Sequence, residues 1–185
     1  MRKWAMASVA RKLTFVDFQR QYGRSDRAYE YWYGEAIIKG MPTWIHGLLQ
    51  KIIMTLLDEA GYKSGSEVEL RIDPEAHPKP DVIATKGRIE LPYPTRAVDV
   101  VVEVLSEDDT MPYMRAKCRA YRRWGFTHIY LVDPADRSVL EWMEGSLIVR
   151  DELATIPVER IWAALDAQIG EIGIHAERKA ADPDR

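Results

Sequence analysis

Two acidic residues have sequence surroundings that indicate chemistry. Glu103 interrupts an apolar segment, VDVVVEVLS at residues 98–106, and has a valine on each side. A buried carboxylate is costly unless a metal, a cation or hydrogen bonds compensate its charge. Asp81 begins an earlier apolar segment, DVIAT, directly after Pro80. If neighbouring strands bring both carboxylates to one side of a sheet, they can share a divalent metal.

Such a site would suit phosphodiester hydrolysis. Oxygen ligands in a site that retains water favour Mg²⁺ or Mn²⁺. The metal would lower the pKa of a bound water and neutralise developing charge. Lys117 lies three residues after Met114 and four before Tyr121, so it borders the apolar face of a predicted helix. From there it could orient the nucleophile or stabilise the transition state.

Each candidate residue also has a purely structural explanation. Asp81 could cap a turn, and Lys117 could be a helix lysine that packs its stem and keeps its ammonium in water. His46 borders the apolar face of another predicted helix, where it could be a hydrogen-bonded core-edge histidine or could reach the same end of the sheet. Glu103 is harder to explain structurally, because its strand is rich in valine.

The helix that carries Lys117 also has a basic stripe. No acidic residue occurs between Asp109 and Asp133, whereas five basic residues do. These are Arg115, Lys117, Arg119, Arg122 and Arg123. Helical spacing places three of the arginines toward solvent, where they could contact phosphates, although an ordinary solvated helix face would look the same.

The composition limits the class of protein. A length of 185 residues, with 46% hydrophobic and 30% charged residues, is ordinary for one soluble globular domain. The net charge of −3 gives no general indication of nucleic-acid binding. The single cysteine, Cys118, excludes an internal disulfide. No apolar run approaches the roughly 18 residues of a membrane-spanning helix, and MRKWAMASVARK lacks the apolar core of a signal peptide. We therefore expect a cytoplasmic protein without membrane contact.

Hydrophobic periodicity predicts an α/β fold with a mixed sheet. Helices are predicted over residues 13–22, 43–60 and 114–124, hairpins over 29–39 and 138–150, and strands over 67–72, 81–85, 98–105 and 129–132. The strand–helix–strand unit at residues 97–133 predicts two adjacent parallel strands. The two hairpins should extend the sheet antiparallel. Residues 73–80 are predicted to form a loop, and the chain beyond residue 166 a frayed tail.

Several segments resemble the Uma2 family of bacterial proteins, which belongs to the PD-(D/E)XK nuclease superfamily. They are PDV at residues 80–82, VDVVVEVLS at 98–106, Lys117, Tyr121, WGFTHIYLVDP at 124–134 and RSVLEW at 137–142. LTFVDF, YEYWYGEAIIKG and the His46-Gly47 pair resemble the earlier part of the family. The resemblance covers roughly residues 13–162. It implies a restriction-endonuclease-like core over residues 13–165, with terminal tails at 1–12 and 166–185.

The resemblance also implies roles for single residues. Asp81 matches the first metal-binding acid of the superfamily, and Glu103 matches the second. The usual lysine two residues later is absent, because Leu105 stands there. Lys117 stands where the family's replacement lysine, on the following helix, is expected.

Other positions match the family or depart from it. Glu30 and His46 match family positions whose roles are open. The chain has Ser106-Glu107 where the family often has Ser-Pro, Tyr113 where it often has Asp, and Tyr33-Gly34 where it usually has Asp-Gly. These departures leave the two acids and the lysine in place, but they affect how the start of the helix is held, and so how Lys117 is positioned.

Together these inferences predict a Mg²⁺- or Mn²⁺-dependent endonuclease that acts on nucleic acid, with DNA favoured over RNA and both kept as substrates to be tested. The candidate catalytic residues are Asp81, Glu103, Lys117, His46 and Glu30; the metal ligands are Asp81 and Glu103; the nucleic-acid contacts are Arg115, Arg119 and Arg122. A nuclease-fold protein that binds nucleic acid without cutting it is one alternative. A protein-interaction module, favoured by the net negative charge, is another. We also expect a homodimer, because aromatic residues such as Trp32 and Trp142 need to be covered.

Overall fold

The computed structural model describes residues 12–40 and 42–180, with side chains up to residue 171. The helices in this part of the chain are α1 (Phe15–Tyr22), α2 (Trp44–Glu59), α3 (Met111–Trp124) and α4 (Val158–Ala180). The strands are β1 (Tyr29–Trp32), β2 (Glu35–Ile38), β3 (Lys63–Gly65), β4 (Ala76–His77), β5 (Val82–Thr85), β6 (Val100–Val104), β7 (His128–Asp133), β8 (Ser138–Met143), β9 (Ser146–Arg150), β10 (Glu152–Leu153) and β11 (Ile156–Pro157).

A six-stranded mixed sheet forms the centre of the fold, in the order β3-β5-β6-β7-β8-β9. Strands β6 and β7 are parallel, with Val102 opposite Tyr130, and α3 connects them. Each of the other neighbouring pairs is antiparallel. The predicted α/β class and the predicted parallel pair are therefore confirmed.

The central strand β6 is buried on both faces. Val100, Val102 and Val104 pack with α2 and α4, whereas Val101 packs with α3. Side chains alternate along a strand, so Glu103 shares the side of Val101 and points toward α3. The valine-rich sequence thus places one carboxylate under the helix that carries the candidate lysine.

The N-terminal hairpin differs from the prediction. Strands β1 and β2 pair as expected, and Tyr33 and Gly34 form the turn with positive φ angles of 48° and 90°. The hairpin does not extend the main sheet, however, since β1 pairs on its other side with β4 in a separate three-stranded sheet. Its aromatic side chains explain this position, because Tyr31 packs on α1 whereas Trp32 stacks on Trp124 of α3. The C-terminal hairpin, β8 and β9, does extend the main sheet.

The predicted strand at residues 67–72 is wrong. Glu67 has a φ of 55°, which is outside the extended region and interrupts a strand. The following backbone donates to loop carbonyls instead, from Leu70 to Pro78 and from Arg71 to Pro94. A strand forms earlier, at β3, and β4 forms within the predicted loop.

Helix α4 continues beyond the predicted end of the domain. Its residues Ile161, Trp162 and Leu165 are buried against α2 in the same core cluster. Their spacing fits one helical face, a signal of a helix that the predicted set of elements does not include. The tail predicted from residue 166 therefore begins as helix in the structure, which extends to Ala180. The predicted N-terminal tail lies outside the described residues except for Lys12, and residues 181–185 also lie outside them. The domain limits 13–165 stay a prediction.

Two further observations concern surfaces. Among the described helices, none combines the length and the apolar character needed to cross a bilayer. Trp32 is 8% exposed and Trp142 is 3% exposed within the single chain. Intramolecular packing therefore covers the aromatic residues for which we expected a dimer, and the homodimer stays a prediction without that support.

Candidate functional site

A cleft of about 240 Å³ lies among the N-terminal hairpin, α2, α3 and the ends of β5 and β6. It brings together all five candidate catalytic residues. Its lining includes Glu30, His46, Asp81, Glu103 and Lys117. These residues are far apart in sequence and are supplied by four separate elements and the loop before β5, so the fold, rather than any local motif, assembles the cleft.

Lys117 lies at the buried end of the cleft, between two carboxylates. Its Nζ is 2.8 Å from Glu103 Oε1 and 3.3 Å from Glu30 Oε2. The inward face of α3 carries Met114, Lys117 and Tyr121, all of them buried. The lysine side chain is only 4% exposed. Lys117 is therefore an internal cation rather than a helix lysine with its ammonium in water.

The charges at this end of the cleft determine one another. Burial raises the pKa of Glu103, Lys117 lowers it, and Asp81 and Glu30 raise it again, to a net value of about 7. Burial disfavours the charged form of Lys117, but Glu103 and Glu30 outweigh this and raise its pKa well above the usual value. The lysine is therefore charged at neutral pH, and the pKa of Glu103, at about 7, lies close to neutral pH.

Of the two carboxylates, Glu30 has the more strongly stabilised ionised form. Burial opposes its ionisation, yet Lys117, Lys39 and its hydrogen bonds leave its pKa below the usual value. Trp32 Nε1 donates to its Oε2 at 2.9 Å, and the Lys79 backbone N–H donates to its Oε1 at 2.8 Å. Glu30 is thus a fixed anion that holds the ammonium of Lys117 in place.

Tyr121 supplies a second donor to Glu103. Its hydroxyl donates to Oε1, the oxygen that also contacts Lys117, at 2.5 Å. Burial raises the pKa of Tyr121 well above its usual value, so the hydroxyl remains a donor. In the sequence Tyr121 was only an apolar position in the helix and part of the family resemblance. A tyrosine on the face of a predicted catalytic lysine is a signal that could have indicated this role.

Asp81 lies at the more open end of the cleft. Its Oδ2 accepts a hydrogen bond of 2.7 Å from the Val104 backbone N–H, which joins it to the strand that carries Glu103. Its Oδ1 lies 3.2 Å from His46 Nε2 and 3.1 Å from Lys39 Nζ. Burial raises the pKa of Asp81, but His46 and Lys39 lower it by a larger amount, so the net shift is downward. His46 Nδ1 is buried and has no hydrogen-bond partner among the residues that the structure describes.

The family model of Uma2, described as "Putative restriction endonuclease", matches residues 15–160. The chain belongs to the Uma2 family.

A solved structure supports the fold that this membership implies. The crystal structure at 1.96 Å resolution of a protein from Anabaena variabilis ATCC 29413, titled as a "putative nuclease belonging to DUF820", superposes with a TM-score of 0.66. The match covers 83% of this chain and 99% of that chain at 18% sequence identity. No curated protein matches the sequence significantly. The Uma2 chain therefore shares its fold with that protein.

Three polar residues at the open end of the Uma2 cleft were not predicted. Lys39, Gln50 and Glu67 line it together with Asp81 and His46. Gln50 is four residues after His46 on α2, a spacing that places both on one helix face and could have indicated it. Lys39 and Glu67 have no comparable signal, because they lie at the end of a strand and in an irregular loop.

The three candidate arginines do not share one environment. Arg122 donates from Nη1 and Nη2 to the backbone carbonyl oxygens of Phe126, Thr127 and Trp142, at 2.8–3.0 Å. It thereby joins the end of α3 to β8. Arg115 and Arg119 are exposed on the outer face of the helix. Two of the three predicted nucleic-acid contacts are therefore available, and the third is engaged within the fold.

The carboxylates fit a metal ion only in part. Among the described residues, no group of three or more His, Cys, Asp and Glu side chains is arranged to hold one. Asp81 and Glu103 nevertheless line one cleft, and carboxylate oxygens are the donors that Mg²⁺ and Mn²⁺ prefer. No described hydrogen bond or ion pair engages Glu103 Oε2, since both of its contacts are made to Oε1. Two carboxylates suit a cation that keeps several waters.

Proposed function

We propose that this protein is an endonuclease that hydrolyses phosphodiester bonds in nucleic acid, with DNA as the expected substrate and Mg²⁺ or Mn²⁺ as the cofactor. One observation carries the proposal: Lys117 is held between Glu103 and Glu30 at the bottom of a cleft that also contains Asp81. Buried ion pairs contribute little stability compared with apolar packing. Clusters of buried ionisable groups with shifted pKa values in a cleft are typical of active sites.

The cleft residues divide into ligands, catalytic groups and positioning groups. Asp81 and Glu103 would hold the metal, which when bound supplies an activated water and neutralises negative charge. Lys117 offers a fixed positive charge to the nonbridging oxygens of the phosphate as negative charge develops on them. Glu30 positions Lys117, and His46 positions Asp81 through the 3.2 Å contact between Nε2 and Oδ1.

Substrate contacts follow from the two faces of α3. Its inner face carries Lys117, whereas Arg115 and Arg119 are exposed on its outer face. Phosphates of a strand that continues from the cleft over the outer face of α3 would meet these guanidinium groups. Binding that depends on phosphate contacts weakens steeply as the salt concentration rises.

A cleavage assay tests the proposal directly. Purified protein is incubated with Mg²⁺, Mn²⁺ or EDTA and with supercoiled DNA, linear duplex, single-stranded DNA or RNA. We expect metal-dependent cleavage that Asp81→Asn and Glu103→Gln abolish. Lys51→Met is the matched control, because Lys51 is exposed on α2 and does not line the cleft. Cleavage that persists in both cleft variants would reject the assignment of these carboxylates.

One observation favours a second candidate function, nucleic-acid binding without cleavage. Asp81 Oδ1 is engaged by Lys39, His46 and Gln50, and Glu103 Oε1 by Lys117 and Tyr121. A site whose acids are neutralised by the protein's own donors can bind phosphates without a metal. Salt-sensitive DNA binding with no cleavage under any metal condition would establish this alternative.

A further inference from the structure

Lys39 extends from the end of the N-terminal hairpin into a cage of oxygen atoms. Its Nζ lies 2.8 and 2.9 Å from the two carboxylate oxygens of Glu67, 2.9 Å from the Lys79 carbonyl oxygen and 3.1 Å from Asp81 Oδ1. One bidentate carboxylate, a second carboxylate and a backbone carbonyl are the donor types that hard divalent cations use. The ammonium group thus fills a position that is chemically suited to such a cation.

The cage is built by more than an ordinary surface ion pair. Glu67 has a φ of 55°, a conformation that costs a non-glycine residue free energy and indicates a local constraint. Its backbone N–H donates to the Pro80 carbonyl, directly before Asp81. Gln50 Nε2 donates to Glu67 Oε1 at 3.0 Å and to Asp81 Oδ1 at 3.2 Å. Gln50 of α2 and the backbone contact between Glu67 and Pro80 therefore hold the two carboxylates toward the same point.

The cage is also open on one side. The side chain of Glu67 is 45% exposed and that of Lys39 is 17% exposed, whereas that of Asp81 is only 3% exposed. A lysine on a flexible four-carbon stem can leave such a position toward water. An incoming ion can approach from the side of Glu67.

We propose that Lys39 is a built-in counter-ion, which occupies a cation position formed by Glu67, Asp81 and the Lys79 carbonyl in the metal-free protein and is displaced when a divalent ion binds at Asp81. The inference rests on the proposed function, because it concerns the same aspartate. It adds Glu67 as a ligand and Lys39 as the competitor that determines how much metal the protein requires. An ammonium group so close to the ion would repel it, so both cannot occupy the cage.

Metal-binding measurements on Lys39→Met test this inference without any nuclease assay. Methionine keeps an unbranched stem and removes the charge. Mn²⁺ is titrated into the wild type and the variant, and binding is measured by calorimetry or by the electron paramagnetic resonance signal of free Mn²⁺. The variant should bind Mn²⁺ more tightly by on the order of tenfold, because a like charge near the ion is gone. The control Lys51→Met removes the same charge from an exposed site and should leave the affinity unchanged.

Thermal unfolding gives a second readout. Without metal, Lys39→Met leaves Glu67 and Asp81 without their ammonium, so the variant should unfold at a lower temperature than the wild type. Mn²⁺ should then raise its unfolding temperature more than that of the wild type, because a ligand that binds only the folded state stabilises it. Lys39→Gln is the second variant, and recovery of either variant's fold by metal alone also supports the inference.

The outcomes separate this inference from the proposed function. Equal or weaker Mn²⁺ affinity in both Lys39 variants would overturn the role of Lys39, as would unfolding of both variants with and without metal. Metal-dependent cleavage by the wild type would leave the proposed function standing in those cases. Conversely, tight Mn²⁺ binding in Lys39→Met without cleavage by the wild type would support the inference and count against the nuclease.

Discussion

The two ends of the cleft use the same residue types in different surroundings. At each end, one lysine lies between two carboxylates. The side chain of Lys117 is 4% exposed, and those of its partners Glu103 and Glu30 are 4% and 1% exposed. The side chain of Lys39 is 17% exposed, and that of its partner Glu67 is 45% exposed. The first lysine is enclosed by protein, whereas the second has a route to water.

This difference in enclosure has chemical consequences. A charge that water cannot reach keeps its position and acts through strong local electrostatics, as a preorganised catalytic group does. A charge at the edge of water can be exchanged for another cation. Lys117 is one cation between two carboxylates, and the excess negative charge contributes to the raised pKa of Glu103. The buried end of the cleft thus provides a fixed charge, and the open end provides a replaceable one.

The largest expected effect is that of Lys117→Met. We expect cleavage to fall by on the order of 10²-fold or more, as for loss of one electrostatic stabiliser. We also expect the free energy of unfolding to fall by about 3–5 kcal/mol, because two buried acids lose their partner. A helix lysine with its ammonium in water would contribute little to stability, whereas the burial of Lys117 makes its removal costly.

Urea denaturation at two pH values checks the physical reason. The loss of stability in Lys117→Met should be smaller at pH values where Glu103 is protonated, since a neutral carboxyl group is cheaper to bury than a charged one. The double variant Lys117→Met with Glu103→Gln should recover part of the stability. A stability loss that is independent of pH and of Glu103 would mean that Lys117 contributes by packing rather than by charge.

The next effect is the pH dependence of the metal-free protein. The pKa of Glu103 is raised from 4.5 to about 7, so between these values the folded state binds a proton that the unfolded state releases. The free energy of unfolding should therefore fall as the pH rises from 5 to 8, by on the order of 1 kcal/mol or more. Burial lowers the pKa of His46, but the hydrogen bond and the charge of Asp81 raise it by a larger amount, so the net shift is upward. This shift also makes the free energy of unfolding fall as the pH rises.

The lowered pKa values of Asp81 and Glu30 act in a different window. They contribute stability that is present above the ordinary carboxyl values and is lost on acidification below them. Chemical denaturation as a function of pH measures the combined contribution of these groups to the free energy of unfolding. Glu103→Gln should flatten the dependence between pH 5 and 8, and an unchanged slope in that variant would assign the proton to another group.

How far the sequence predicts the cleft also differs between its two ends. Glu103 and Lys117 could be inferred because a charge in a valine-rich strand and a lysine beside an apolar helix face are local signals. Their meeting follows from one strand–helix–strand unit, for which periodicity is informative. The sequence therefore predicts Glu103 and Lys117 together with the strand and the helix that carry them. It does not predict the position of Glu30, because the hairpin that carries it pairs with β4 instead of extending the main sheet.

The open end depends on long-range structure instead. Lys39 and Glu67 are brought together by a hairpin that left the main sheet and by a loop in place of a predicted strand. Neither departure has a signature in local propensity, because the pairing of β1 with β4 and the positive φ of Glu67 are set by tertiary contacts. Helix α4 differs from these two elements, because its sequence does carry a local signal: Ile161, Trp162 and Leu165 are spaced for one helix face.

The two tyrosines of α3 sharpen the comparison on a smaller scale. Tyr121 donates to Glu103 at 2.5 Å within the core, whereas Tyr113 donates to Glu30 at 3.2 Å from a partly exposed position. Tyr121→Phe should lower the free energy of unfolding by about 1–3 kcal/mol, since a buried carboxylate loses a donor. Tyr113→Phe should cost less. Urea denaturation of both variants measures the difference, and equal effects would contradict the proposed gradient of enclosure.

The smallest effects are expected on the outer face of α3, where exposure should again separate residues of one type. Arg115→Gln and Arg119→Gln should each weaken DNA binding and reduce the salt slope of the logarithm of affinity by about 1, with little change in stability. Arg122→Gln should instead lower stability and leave DNA binding and its salt slope nearly unchanged, because the Arg122 guanidinium donates to three backbone carbonyls. Binding isotherms at several salt concentrations, paired with thermal unfolding, measure both quantities. If Arg122→Gln weakens binding as much as the other two and leaves stability unchanged, then its contacts with β8 give way to phosphate, and all three arginines belong to one nucleic-acid surface.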